Sequence, residues 1–209
     1  MARSPAVQDH CTHNYFDRPK QPEENTMSTT TTAIPTGTWN VDASHSSVEF
    51  RVKHLGISTV RGSFREFEGT LEIPEDVTAA KITGTIKASS VDTGEPKRDE
   101  HLRAPDFFDV EQYNDITFVS TKIEAVDDNE FHVTGDFTMH GVTKPLTLHA
   151  EITGTEEDPW GNTRVGLEAQ GELTRSDYGM SFNQALGSGN MMVSDKVRIS
   201  LEISAVKTA

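Results

Sequence analysis

The 209-residue sequence has a single cysteine, Cys11, which excludes an internal disulfide and any cysteine-rich zinc site and agrees with a reducing compartment. Apolar runs are equally scarce. None is longer than Met191-Met192-Val193, so the chain offers neither the ~20 apolar residues of a transmembrane helix nor the h-region of a secretory signal, and a cytoplasmic location is expected. Cations are few as well: 19 Lys and Arg stand against 33 Asp and Glu, a formal net charge of −14. Such a field repels phosphates and anionic membrane surfaces, so nucleic acid is not an expected partner and docking on lipid headgroups starts disfavoured. With 9 Pro and 15 Gly, the composition is neither collagenous nor wholly disordered, and the length suits one domain.

Residues 1–36 carry no periodic apolar pattern and hold the run Ser28 to Thr32, so a disordered tail is expected there, with the folded domain over 37–209. Met27 is a plausible alternative start, and His10, Cys11 and His13 are read as incidental tail residues. From Trp39 onward the period is two. Val48, Phe50 and Val52 alternate with Glu49, Arg51 and Lys53, which puts apolar residues on one face of a strand and charges on the other. The same alternation recurs around Val60 and Phe64, Leu71 and Ile73, Ile82 and Ile86, and Ile116 and Phe118. It continues through Phe131, Val133, Phe137 and Met139, then Leu146, Leu148 and Ile152, then Val165, Leu167 and Leu173, and finally Val197, Ile199, Leu201 and Ile203. About eight one-sided strands result.

A short helix is expected over Arg98 to Ala104, stopped by Pro105. Crossover helices do not recur between strands, so a parallel sheet is excluded and an antiparallel barrel or sandwich remains. The inward rows also contain Gly84, Ala88, Gly135, Ala150, Ala169 and Gly171. Such small residues leave space inside a barrel, yet glycines also mark the bends of a filled one, and volume alone does not choose.

Chemistry-bearing residues are sparse. His132 and His140 are too far apart along one strand to share a metal, and the short turn expected around Gly141, if centred between Val142 and Thr143, would set His149 opposite Asp136 as a surface pair. His45 and His54 have opposite parity. His54 continues the inward row and reaches a strand end. No G-x-S-x-G or H-E-x-x-H is present, and Asp99 with His101, or Asp106 with Asp109, read as solvated or capping groups. The segment from Ser176 to Asp195 is long enough to be a flap over a barrel end.

Several ordered blocks carry a resemblance. His45-Ser46-Ser47-Val48-Glu49-Phe50-Arg51-Val52-Lys53-His54-Leu55-Gly56, Val60-Arg61-Gly62-Ser63-Phe64, Arg98-Asp99-Glu100-His101-Leu102, Asp106-Phe107-Phe108-Asp109, His140-Gly141-Val142-Thr143-Lys144-Pro145 and Arg175-Ser176-Asp177-Tyr178-Gly179 together resemble the YceI family over roughly Gly37 to Val206. The resemblance implies an all-β fold, an eight-stranded antiparallel lipocalin-like barrel with a short helical segment, holding an extended apolar ligand such as a polyisoprenoid or isoprenoid quinone. It implies no catalytic residue, metal or cofactor, and it tips the choice toward a hollow barrel. Many relatives are exported.

The inward-facing positions then become the expected lipid-binding set: Phe50, Val52, His54, Phe64, Ile82 and Ile86 in the first half of the chain. Phe118, Phe131, Val133, Phe137, Leu146 and Leu148 follow, with Val165, Leu167, Ile199 and Leu201 completing it. His54 and the basic group Lys97, Arg98 and Arg103 are candidates for a ligand head. The expected partner is an apolar, lipid-like small molecule, and a homodimer stays open. Two alternatives stand beside a binding protein: an enzyme acting on a small apolar substrate through His54, and a filled barrel serving as an interaction module.

Overall fold

The computed structural model describes residues 34–187, 189 and 191–208; His10, Cys11, His13 and Met27 lie outside the described residues. Eleven strands form one antiparallel sheet: β1 (Gly37–Val41), β2 (Ser47–His54), β3 (Ser58–Phe64), β4 (Phe67–Ile73), β5 (Lys81–Lys87), β6 (Val91–Asp92), β7 (Asp115–Ala125), β8 (Glu130–Met139), β9 (Val142–Glu157), β10 (Thr163–Thr174) and β11 (Val193–Lys207). The sheet closes through β1 and β11, so the ring β1-β4-β5-β7-β8-β9-β10-β11 is an eight-stranded barrel. Closure removes the open edges that a flat sheet of this size would expose.

β2, β3 and β6 raise the wall at one end. β11 is long enough to pair with β1 near its C-terminus and with β2 near its start, through Ala205↔Val41 and Arg198↔Arg51. Between β1 and β2 the chain turns at Asp42, whose carboxylate accepts from the Ser44 amide at 3.0 Å and so breaks what would be one stave into two. One helix, α1 (Pro96–Arg103), starts two residues before the expected Arg98. Pro96 sits in its first turn, where a missing N–H costs nothing, and Glu95 caps the Lys97 amide.

Alternation does what the sequence requires of it. In β8, Phe131, Val133, Gly135, Phe137 and Met139 are buried while His132 and Asp136 are exposed. The β8–β9 turn is a correction. Its centre is His140-Gly141, both at positive φ (52° and 72°), the geometry of a two-residue hairpin turn whose twist matches its strands. His149 therefore faces His132, and Asp136 faces Pro145. The two imidazoles meet edge to face on the outer wall at 5.6 Å.

Where β1 meets β11, Trp39, Val165 and Ala205 pack together almost without solvent exposure. The fold reaches back to Ile34, ahead of the boundary expected at Gly37, and the Pro35 carbonyl accepts the Trp39 indole N–H at 3.2 Å. This end of the barrel is plugged by the protein's own side chains.

Candidate functional site: a blind apolar cavity

From that plug a cavity of about 680 Å³ runs along the barrel to the α1 end, within the usual range for ligand sites of about 300–1,000 Å³. Its walls are almost wholly apolar. A space lined this way offers water few partners, so an apolar guest is favoured over solvent.

All of the residues expected inside line this cavity except Val165. On β2 and β3 these are Phe50, Val52, His54 and Phe64; on β5 and β7, Ile82, Ile86 and Phe118. Phe131, Val133 and Phe137 come from β8, Leu146 and Leu148 from β9, Leu167 from β10, and Ile199 and Leu201 from β11. Val165 has the right parity but sits too close to the plug: it is 1% exposed and belongs to the packing around Trp39. Parity places a residue on a face without saying how far along the barrel the space extends.

The small residues divide in the same way. Gly84, Ala150 and Ala169 do border the space. Gly135 and Gly171 do not leave any, because the Phe118 ring lies over the first and a Leu148 methyl over the second. Ala88 is fully buried in a turn outside the inward rows.

Polar groups gather at the open end. His54, Glu95, Lys97, Arg98, His101 and Arg175 all reach the lining there. Most are already engaged. Arg98 donates to the Thr93 hydroxyl at 2.7 Å and to its carbonyl at 3.0 Å, while buried Asp99 accepts from the Thr93 amide at 2.9 Å. His101 pairs with Asp106 at 3.0 Å on the exposed side of α1, and Asp109 is buried and accepts from Gln112 at 2.8 Å. Arg103 must be withdrawn from the head-binding group. It points away from the cavity and donates to the Ser89 and Val91 carbonyls at 2.7 and 2.8 Å, satisfying strand-end acceptors and tying α1 to β6.

Sequence reasoning missed Arg175. Only 5% exposed, it donates to the Met180 carbonyl at 2.8 Å and the Ser194 carbonyl at 3.1 Å, and so shapes the loop that covers the mouth. Burial pulls its basicity below that of a free guanidinium, with Asp195 opposing the change. From that loop Phe182 packs against His101 and Phe107, with ring separations of 5.0 and 5.1 Å. The segment between β10 and β11 is thus a partial cover resting on the α1 region. Among the described residues no cluster of His, Cys, Asp and Glu could hold a metal ion, and no helix is long and apolar enough to cross a membrane.

A closed antiparallel barrel, dry inside, plugged at one end and polar at the other, defines a lipocalin-like container suited to an apolar ligand. The YceI-like domain model matches residues 39–205, and the chain belongs to the YceI-like family. Protein YceI of Escherichia coli O157:H7 is 44% identical over 138 residues, 66% of this chain and 72% of its own. The crystal structure of the Campylobacter jejuni YceI protein is similar at a TM-score of 0.64, with 32% identity over 75% of this chain and 90% of that one. A polyisoprenoid-binding domain from Saccharophagus degradans has the same fold at a TM-score of 0.61, with 18% identity over 81% of this chain and 98% of that one.

Proposed function

We propose that this protein binds an elongated apolar ligand of the polyisoprenoid or isoprenoid quinone class and carries or stores it without chemical change. The observation that carries this reading is the almost wholly apolar cavity inside the closed barrel, with His54, Lys97, Arg98 and His101 gathered at its α1 end. A prenyl tail gains ~0.8 kcal/mol per buried CH₂, and a head group left at the mouth meets His54, Lys97 and water. The polyisoprenoid-binding neighbour supports the ligand class. Binding is favoured over catalysis because the mouth's Arg98, His101 and Arg175 are already held by Thr93, Asp106 and main-chain carbonyls.

Ala169→Phe tests the reading. It projects a ring into the space while its own strand keeps its pairing with β9 and β11. Wild-type protein should take up an isoprenoid quinone, seen by native mass spectrometry, and gain about 2.7 kcal/mol of stability at a hundredfold excess over Kd. The variant should fold yet bind at least tenfold more weakly. Equal uptake by both, or refusal of quinones and prenyl phosphates by the wild type, overturns the proposal.

A further inference from the structure

The cations of this acidic chain are not spread evenly. From Phe50 to Arg65 the sequence holds Arg51, Lys53, Arg61 and Arg65 and not one Asp or Glu, although 33 of 209 residues are acidic. This stretch is the β2–β3 hairpin. Arg51 stands directly opposite Arg61 on β3 and opposite Arg198 on β11, so three guanidinium side chains cross the outer wall in one row. Like charges in direct register oppose folding unless something else gathers there. Arg51 has only Glu49, at 3.9 Å, and Arg198 shares Glu172 with Lys196. Lys53 and Arg61 form no ion pair among the described residues.

The tip of the same hairpin is apolar and bare. Ile57 is 82% exposed, and Met191, 47% exposed, belongs to the segment that Leu55 holds by donating its amide to the Met192 carbonyl at 2.8 Å. That segment borders the opening: Val193 pairs with His54, and both line the cavity together with Met192. Exposed apolar side chains, uncompensated cations and the doorway of a greasy cavity therefore coincide.

We propose that this hairpin and the Met191 segment dock the mouth of the barrel on an anionic lipid bilayer, Ile57 and Met191 entering the headgroup boundary and Lys53, Arg51 and Arg61 meeting lipid phosphates. The rest of the surface favours this orientation. Glu130, Glu151, Glu168 and Glu202 form a continuous row across β8, β9, β10 and β11, which an anionic surface repels. Trp160, as exposed as Ile57, lies in the β9–β10 turn at the plugged end, beside acidic Asp158, and the exposed Val119 and Val126 lie on and just after β7, away from this hairpin. The use of the docking rests on the ligand reading above; the docking itself does not.

Flotation of the full chain with phosphatidylcholine vesicles, with and without a minority of phosphatidylglycerol, tests it. Binding should require phosphatidylglycerol and fall with added salt. Each cation near such a surface is worth roughly a fivefold change in partition, so Lys53→Glu with Arg61→Glu should weaken binding at least tenfold. Ile57→Asp should weaken it about fivefold or more, and Trp160→Ser should leave it unchanged. Wild-type protein that ignores anionic vesicles, or a Lys53→Glu/Arg61→Glu or Ile57→Asp variant that floats as well as wild type, overturns the proposal. Uptake of a short-tailed isoprenoid quinone from vesicle-free solution is read in parallel and should survive all of these substitutions. Vesicle binding without quinone uptake defeats the ligand reading and supports the docking; quinone uptake without vesicle binding does the reverse.

Discussion

A Cβ at position 135 would overlap the Phe118 ring and stand 2.6 Å from the Val119 carbonyl, which is main chain and cannot swing aside. Gly135→Ala is therefore expected to cost about 1–3 kcal/mol in urea unfolding and to drive the Phe118 ring into the cavity, weakening quinone uptake. Gly84 has no such neighbour within ordinary contact distance apart from one carbonyl, and a methyl there should be tolerated far better. Both are glycines in period-two rows, and nothing local in the sequence separates them. The difference lies in which side chain of the adjacent strand covers each, Phe118 over Gly135, and that is fixed by register across the β7–β8 pair. Residue-level parity was legible; residue-level space was not. Arg175 escaped notice for a related reason, since an arginine in a loop gives no sign that it will be buried against carbonyls.

Elements were legible where the pattern is local. The helix end at Arg103 follows from Pro105, and its start from Pro96, a signal that a reading centred on the charged run overlooks. The β8–β9 turn shows how one residue pair reorders a surface: with His140-Gly141 at the tip, His132 meets His149 rather than Asp136 facing it. At the plugged end, Arg164 of β10 bridges the Asp42 corner and the β9–β10 turn, donating to Asp42 at 2.8 Å and to Asp158 at 2.9 Å. Hydrogen bonds from the Ser44 side chain first, then Arg164 and His45, hold the Asp42 carboxyl well below the ordinary carboxylate range; Asn162 and Arg164 do the same for Asp158. A carboxyl depressed in the folded state contributes stability above its unfolded pKa of about 4 and loses it as the pH falls below that. Arg164→Met should thus raise the pH midpoint of acid unfolding and lower the Tm at neutral pH by a few degrees, measured by circular dichroism.

At the scale of the whole molecule, one-sided strands excluded a parallel sheet, but they could not decide between a hollow barrel and a filled one. That decision depends on long-range closure, β1 against β11, and on Trp39, whose place in the plug has no periodic signature. Family blocks tipped the choice where volume did not. A container with polar groups at one end orders its guest, tail toward Trp39 and head toward His54. A bound quinone should accordingly remain reducible by a water-soluble reductant, as stopped-flow absorbance would show; a head shielded from that reductant would mean the opposite orientation. The plug also governs turnover. With a single lane and no rear exit, a newcomer cannot push the resident out, so exchange must proceed by departure followed by arrival, at a rate that stays flat however much competitor is added.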